Sequence, residues 1–185
     1  MSAEPAIVLP VEEARQEGRS ERLAALFDAH EDRLYRLARR LTASADDAHD
    51  LVQDTFLRAA GSLRSVPVGP AKEEAWLVRV LINIRRDQWR RTAVRKRSAP
   101  ALRGEPTAHP STAESALIAK RAVWAALDVL HPRRRAIVVM HEIEGQSLSA
   151  IASLLGVSAV TVRWHLSMAR RDLRRVLAPQ FGETV

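Results

Sequence analysis

Residues 146–163 read Gln146-Ser147-Leu148-Ser149-Ala150-Ile151-Ala152-Ser153-Leu154-Leu155-Gly156-Val157-Ser158-Ala159-Val160-Thr161-Val162-Arg163. The stretch has the pattern of a short helix, a glycine turn and a second helix. Ser147 is placed to cap the first helix by accepting a bond from a free backbone N–H. Ile151, Leu154 and Leu155 give that helix an apolar face, and Ala152 is small enough to let a second helix cross closely. Gly156 stands where a helix ends in a left-handed residue, and Ser158 is placed to cap the next helix. There, Val162, Leu166, Ala169, Leu173 and Val176 recur at helical spacing and are expected to face a core. Val160, Arg163, Trp164, Ser167 and Arg171 fall on the other side. They offer the hydrogen-bonding and basic groups that a helix lying in the DNA major groove needs. The stretch reads as a helix-turn-helix, although an ordinary antiparallel helix pair with a glycine cap shares the same turn.

Charge outside this stretch points the same way. The 185 residues carry a formal net charge of +7, unevenly spread. Residues 1–60 hold 8 Lys/Arg and 12 Asp/Glu, a net of −4, which leaves 21 and 10, a net of +11, for the remainder. A basic majority beside an acidic portion suggests nucleic acid on one side and a different partner on the other. The sequence has no cysteine, which excludes disulfides, zinc fingers and thiol catalysis. No apolar run approaches the ~20 residues needed to cross a bilayer. Met1 to Gly18 carries acids where a signal peptide has a basic start. A cytoplasmic protein without membrane insertion is expected.

The remaining periodicity is helical throughout. A helix is expected from about Ser20 to Leu41, burying Leu23, Leu26, Phe27, Leu34, Leu37 and Leu41. Ser44 caps a second helix with Asp46 and Asp47 in its first turn, where the helix dipole favours negative charge. Its inward face is Ala48, Leu51, Val52, Thr55, Phe56 and Ala59, and Gly61 is its stop. Val66 to Pro70 is a loop, and a long helix runs from about Ala71 to Thr92 or Arg97. Three prolines and a glycine mark Ser98 to Pro110 as a linker. Ser111 and Glu114 have capping-box spacing for a helix reaching about Leu130. Pro132 suits the first position of the next helix. No alternating pattern suggests a strand. The expected fold is all-α: two small helical domains, residues 20–97 and 113–178, joined by a flexible linker over 98–112. A flexible segment is expected over 1–19 and a tail over 179–185.

Two more faces carry candidate function. On the long helix, Leu77, Val80, Leu81 and Ile84 should pack inward. Trp76, Arg79, Asn83, Arg86 and Arg90 form a stripe on another side, continued by Arg91, Arg95, Lys96 and Arg97. Aromatics stack on bases, amides bond base edges and guanidiniums hold phosphate, a combination that suits single-stranded or melted DNA. The second helix presents Asp46, Asp47, Asp50 and Asp54 with Gln53. No neighbouring ligand set makes these a metal site, and an acidic face docking on a basic protein surface fits better. No catalytic Ser-His-Asp arrangement and no phosphate-cradling glycine loop is present. Neither an enzyme nor a cofactor or metal is expected.

Taken in order, three segments resemble the extracytoplasmic-function (ECF) group of the sigma-70 family of RNA polymerase sigma factors. Asp46-Asp47-Ala48-His49-Asp50-Leu51-Val52-Gln53-Asp54-Thr55-Phe56-Leu57-Arg58-Ala59 is similar to the family's region 2.2, usually D-A-E-D-L-x-Q-x-x-F. Ala75-Trp76-Leu77-Val78-Arg79-Val80-Leu81-Ile82-Asn83 with the following arginines resembles regions 2.3 and 2.4, and Leu130 through Arg175 resembles region 4. The resemblance implies that residues 20–97 bind core RNA polymerase and melt promoter DNA at the −10 element, and that residues 113–178 read the −35 element. Asp47, Asp50, Leu51, Gln53, Asp54 and Phe56 would dock on the polymerase. Arg79, Asn83, Arg86, Arg90 and Arg91 would hold −10 DNA, with Asn83 at the position that helps capture a flipped base and Trp76 in support. Ser158, Val160, Thr161, Arg163, Trp164, Ser167 and Arg171 would meet −35 DNA, and the linker would thread into the polymerase near the RNA exit path. An anti-sigma factor is a further implied partner. The chain departs from the family's usual residues at His49 (for Glu), Trp164 (for a small polar residue), His165 and Met168 (for basic residues) and Ala150 (for Glu). A stand-alone helix-turn-helix regulator and a purely structural or interaction protein remain as alternatives at this point.

Overall fold

The computed structural model describes residues 11–97 and 122–181; the expected linker over 98–112 and the capping box at Ser111 lie outside them. Helix α1 spans Val11–Leu41, α2 Ala45–Gly61 and α3 Pro70–Arg97, with a single 3-10 turn at Leu63–Ser65 between α2 and α3. The second half comprises α4 over 122–129, α5 Pro132–Val138, a wider π turn Val139–Ile143, α6 Leu148–Leu155 and α7 Ala159–Phe181. The described residues contain no strand.

Helices α1, α2 and α3 pack around Leu34, Leu37, Leu41, Leu51, Leu77 and Leu81, all essentially solvent-free. The six inward positions expected of α2 are all buried. Ser44 caps that helix by accepting from the Asp47 N–H at 3.0 Å, and its hydroxyl donates back to the Asp47 carboxylate at 2.7 Å. Helices α5 through α7 pack around Ile137, Val139, Met140, Ile151, Val162 and Leu166, which join the first set in one continuous buried cluster.

Three expectations need correction. Helix α1 begins at Val11, about two and a half turns before the expected start at Ser20, so 11–19 is helical. Residues 11–22 are rich in Glu, Arg and Gln, good helix formers, and Arg22 anchors this part by donating to the Val66 carbonyl at 2.8 Å. Phe27 is not buried with its stripe but 44% exposed. It lies against Phe56 with ring centroids 4.8 Å apart, at the mouth of a groove between α1 and α2. At the other end, α7 passes 178 and continues to Phe181, with Pro179 within its last turn.

The two domains share a packed interface in which α3 meets α5 and α6, and α1 meets α5. Its polar centre is Glu144, whose side chain is 11% exposed and whose two carboxylate oxygens pair with Arg33 and Arg40 of α1, each at 2.8 Å. Burial works against the charge on Arg33, but its bonds to Glu144 and Glu74 outweigh this and raise its pKa. The C-terminus of α1 is closed by a guanidinium from each domain. Arg85 of α3 donates to the Leu41 carbonyl at 2.9 Å, and Arg135 of α5 donates to the Arg40 carbonyl at 2.7 Å. Unpaired carbonyls at a helix end carry partial negative charge, so cations are stabilising there. Burial and then the nearby Arg135 lower the Arg85 pKa, so this end brings two cations together, with Asp128 paired to Arg135 as a counter-charge.

Candidate nucleic-acid interface

The helix-turn-helix is built by the residues its sequence singles out. Ser147 accepts from the Ala150 N–H at 3.1 Å. Gly156 sits at φ 66°, ψ 40° and closes α6, with the Val157 N–H reaching back to the Ala152 carbonyl at 3.0 Å. That left-handed turn is open to glycine at little steric cost. Ser158 accepts from the Thr161 N–H at 3.1 Å, and the two hydroxyls pair at 2.8 Å. Ser158 and Thr161 therefore have their hydroxyls engaged in the cap of α7.

Helix α7 buries Val162, Leu166 and Ala169 and exposes Val160, Arg163, Trp164, Ser167 and Arg171. Beside this face lies a cleft of 490 Å³ lined by Arg163, Arg170, Arg171 and Arg174. Arg170 pairs with Glu142 at 2.6 Å, whereas the other three have no carboxylate within ion-pair distance among the described residues. Uncompensated guanidiniums along a helix are suited to phosphate, with affinity gained by counterion release.

On α3, Asn83, Arg90 and Arg91 are exposed, and Trp76 is half-buried against the core. Arg79 and Arg86 are less free than the sequence implies. Arg79 lies over the turn of the helix-turn-helix, where a Cβ on Gly156 would come within 3.0 Å of its Nη1. Arg86 is half-buried and pairs with Asp87 at 3.5 Å. Of the −10 candidates, Arg79 is thus partly covered by the second domain, while Asn83, Arg90 and Arg91 stay exposed.

The acidic face of α2 also divides. Asp47, Asp50, Gln53 and Asp54 are exposed. Leu51, at 0% exposure, and Phe56, at 7%, are buried in the core, beneath the face that the resemblance would dock on polymerase. Their spacing puts them on the inward stripe with Ala48, Val52, Thr55 and Ala59. Next to the acidic face, Phe27, Phe56, Leu57 and Gln53 line the α1–α2 groove of 560 Å³. Among the described residues no group of His, Cys, Asp and Glu is placed to hold a metal ion, and no single helix is long and apolar enough to cross a membrane.

Sequence reasoning missed the ion pairs that cross between elements. Glu144 meets Arg40 across 104 positions, and Arg134 meets Asp172 across 38. Periodicity reports which face of a helix is buried and carries no signal for such partners.

Comparison with known proteins decides the family. The model for Sigma-70 region 2 matches residues 26–95, and that for Sigma-70 region 4 matches residues 120–173. The ECF RNA polymerase sigma factor SigM of Mycobacterium tuberculosis is 34% identical over 156 residues, covering 82% of this chain and 75% of SigM. The chain belongs to the ECF sigma factors. The ECF RNA polymerase sigma factor SigE of Mycolicibacterium smegmatis is 38% identical over 163 residues, covering 86% of this chain, which spans 63% of that relative's length. Two solved structures are also similar. One is the sigma factor RpoE in complex with the anti-sigma factor NepR from Bartonella quintana, at TM-score 0.52 and 26% identity over 90% of this chain and 98% of that one. The other is CnrH in complex with the cytosolic domain of CnrY, at TM-score 0.54 and 26% identity over 85% and 88%. Membership in the family disfavours the stand-alone regulator.

Two histidines of this ECF sigma factor are expected to make its stability depend on acid. His131 caps α5 by accepting from the Arg133 N–H through Nδ1 at 3.3 Å, and its ring meets Trp89 of α3 edge-on at 5.4 Å. Burial, then Arg134, Arg86 and Arg90, push its pKa below the ordinary imidazole value. Burial, then Arg133 and Arg134, do the same to His165. In the window between the depressed folded values and about 6.5, the unfolded chain binds more protons, so stability rises with pH. The contribution is complete above about 6.5 and is lost as pH falls through the folded values. Protonation also removes the acceptor that caps α5. Thermal unfolding followed from pH 7.5 downward should show a midpoint that falls on acidification, with a shallower slope in His131→Asn, which keeps a capping acceptor without a charge.

Proposed function

We propose that this sigma factor binds core RNA polymerase through α2, holds melted −10 DNA along α3 and reads −35 duplex with α7, so that the enzyme starts at particular promoters. It is a transcription initiation factor and performs no reaction of its own. One observation carries the reading: an acidic face at Asp50, Gln53 and Asp54 and a separate basic face at Arg163 and Arg171 stand on the two domains of one chain. The first complements a basic protein surface and the second a polyanion. Work on promoter DNA implies a cytoplasmic location. The solved relatives RpoE and CnrH are each in complex with a second protein, which supports an anti-sigma partner here too, with the exposed Phe27 and Leu57 of the α1–α2 groove as apolar anchors.

Reconstitution tests the reading. Purified core enzyme with the full chain is expected to initiate at discrete positions on genomic fragments from the source organism, and core enzyme alone is not. Absence of discrete starts on every fragment would overturn it. Asn83→Ala and Arg163→Ala should each weaken promoter output while leaving the fold intact, because both side chains are exposed.

A further inference from the structure

The outer face of α7 has an apolar centre. Val160 and Trp164, one turn apart, are 70% and 53% exposed. Arg163 and Arg171 flank them on the same side of the helix. An indole and an isopropyl group left in water amid guanidiniums fit a ligand that combines negative charge with an apolar group. In the major groove the phosphates supply the charge, and the only apolar group on a base edge is the C5-methyl of thymine. Guanine and cytosine edges offer hydrogen-bonding groups there, which an indole face would desolvate without pairing.

The indole is also held in place before any DNA arrives. Asp172 of α7 accepts from Arg134 of α5 at 2.7 Å. The Arg134 guanidinium stands 5.8 Å from the centre of the Trp164 ring, a cation–π contact. On another flank the His165 ring meets it edge-on at 4.9 Å. A carboxylate, a guanidinium and an indole thus form a ladder between two helices that fixes the ring without covering it. Side-chain ordering completed in the free protein need not be supplied on binding.

We propose that Trp164, with Val160, selects thymine in the −35 element by packing against its 5-methyl group, and that Arg134, pinned by Asp172, is the positioning residue for that contact. The proposal rests on the promoter-recognition reading above and adds the base class that this chain's α7 prefers.

The test uses the full chain with core polymerase. A promoter recovered from the genomic fragments is resynthesised with deoxyuridine in place of thymine in the −35 segment alone, which deletes methyl groups and leaves every hydrogen-bonding group unchanged. Holoenzyme occupancy is expected to fall about fourfold for each contacted methyl removed. Trp164→Ala should bind the thymine promoter about as weakly as the unaltered factor binds the deoxyuridine one, and should not distinguish the two. Arg134→Met should reduce the thymine-to-deoxyuridine ratio and Arg134→Lys should restore part of it. A merely structural Arg134 would lower the unfolding midpoint and leave that ratio untouched, which overturns its assignment. Equal use of both promoters by the unaltered factor, or full discrimination by Trp164→Ala, overturns the thymine contact. Absence of any promoter-directed starts defeats the sigma-factor reading and this proposal with it, whereas indifference to the methyl groups on a working promoter defeats this proposal alone.

Discussion

Charge reversal at Glu144 is expected to separate the two domains. Its carboxylate pairs with both Arg33 and Arg40 at 2.8 Å and is largely shielded from water. Removing one partner from a fully buried ion pair costs about 3–5 kcal/mol; here Arg33 keeps Glu74 at 3.2 Å and the Arg40 side chain is 33% exposed, so the loss falls below that range. Glu144→Lys goes further by setting a third cation against two guanidiniums. Each domain also buries apolar residues among its own helices, Leu34, Leu51 and Leu81 in one and Ile137, Ile151 and Val162 in the other, within a buried cluster that runs continuously through both. Opening rather than global unfolding should follow. The sequence contains no cysteine, so one introduced thiol on an exposed position of each domain can carry a distance label. The inter-label distance should lengthen in Glu144→Lys with helical content unchanged, and Glu144→Gln, which keeps an acceptor, should move it less. An unchanged distance in Glu144→Lys would show that the apolar contacts hold the interface without the ion triad.

The same interface marks the boundary of what sequence could tell. Helical periodicity located the helices and most of both cores, because a residue's face is fixed by spacing of about 3.6. It identified the capped turn at Gly156, because the cap residues lie within a few positions of one another. It misplaced Phe27, whose spacing matches the buried stripe but which opens onto a groove instead. It gave no sign that the packing of the second domain sets Arg79 over the Gly156 turn. Both gaps have one cause. A side chain's position along its own helix is a local property, and what covers it is decided by an element distant in sequence. The Arg134–Trp164 contact belongs to the same class, since its partners come from α5 and α7.

The contrast within α2 gives the second large effect. Family resemblance groups Asp47, Asp50, Leu51, Gln53, Asp54 and Phe56 as one docking motif, yet burial divides them into two sets. Leu51 is completely enclosed and its Ala replacement leaves a cavity, at a cost of about 3–5 kcal/mol. Against a total stability of about 5–15 kcal/mol, that is enough to depopulate the folded first domain at elevated temperature. Leu51→Ala should therefore lower the unfolding midpoint strongly and lose polymerase binding only as the domain unfolds, with binding recovered on cooling. Asp50→Ala and Asp54→Ala remove exposed carboxylates, whose contribution to the isolated fold should stay within about 0.5 kcal/mol. Their unfolding midpoints should match that of the unaltered factor, while affinity for core polymerase falls and does not recover on cooling. The slope of binding against salt should fall as well, because each carboxylate removes one attraction to a basic partner surface. Measured side by side, unfolding midpoint and polymerase affinity should move together in Leu51→Ala and separately in the two aspartate variants. If Asp50→Ala lowered affinity only in proportion to its stability, the acidic face would be a feature of the fold and polymerase docking would have to be sought elsewhere, first in the apolar groove lined by Phe27 and Leu57.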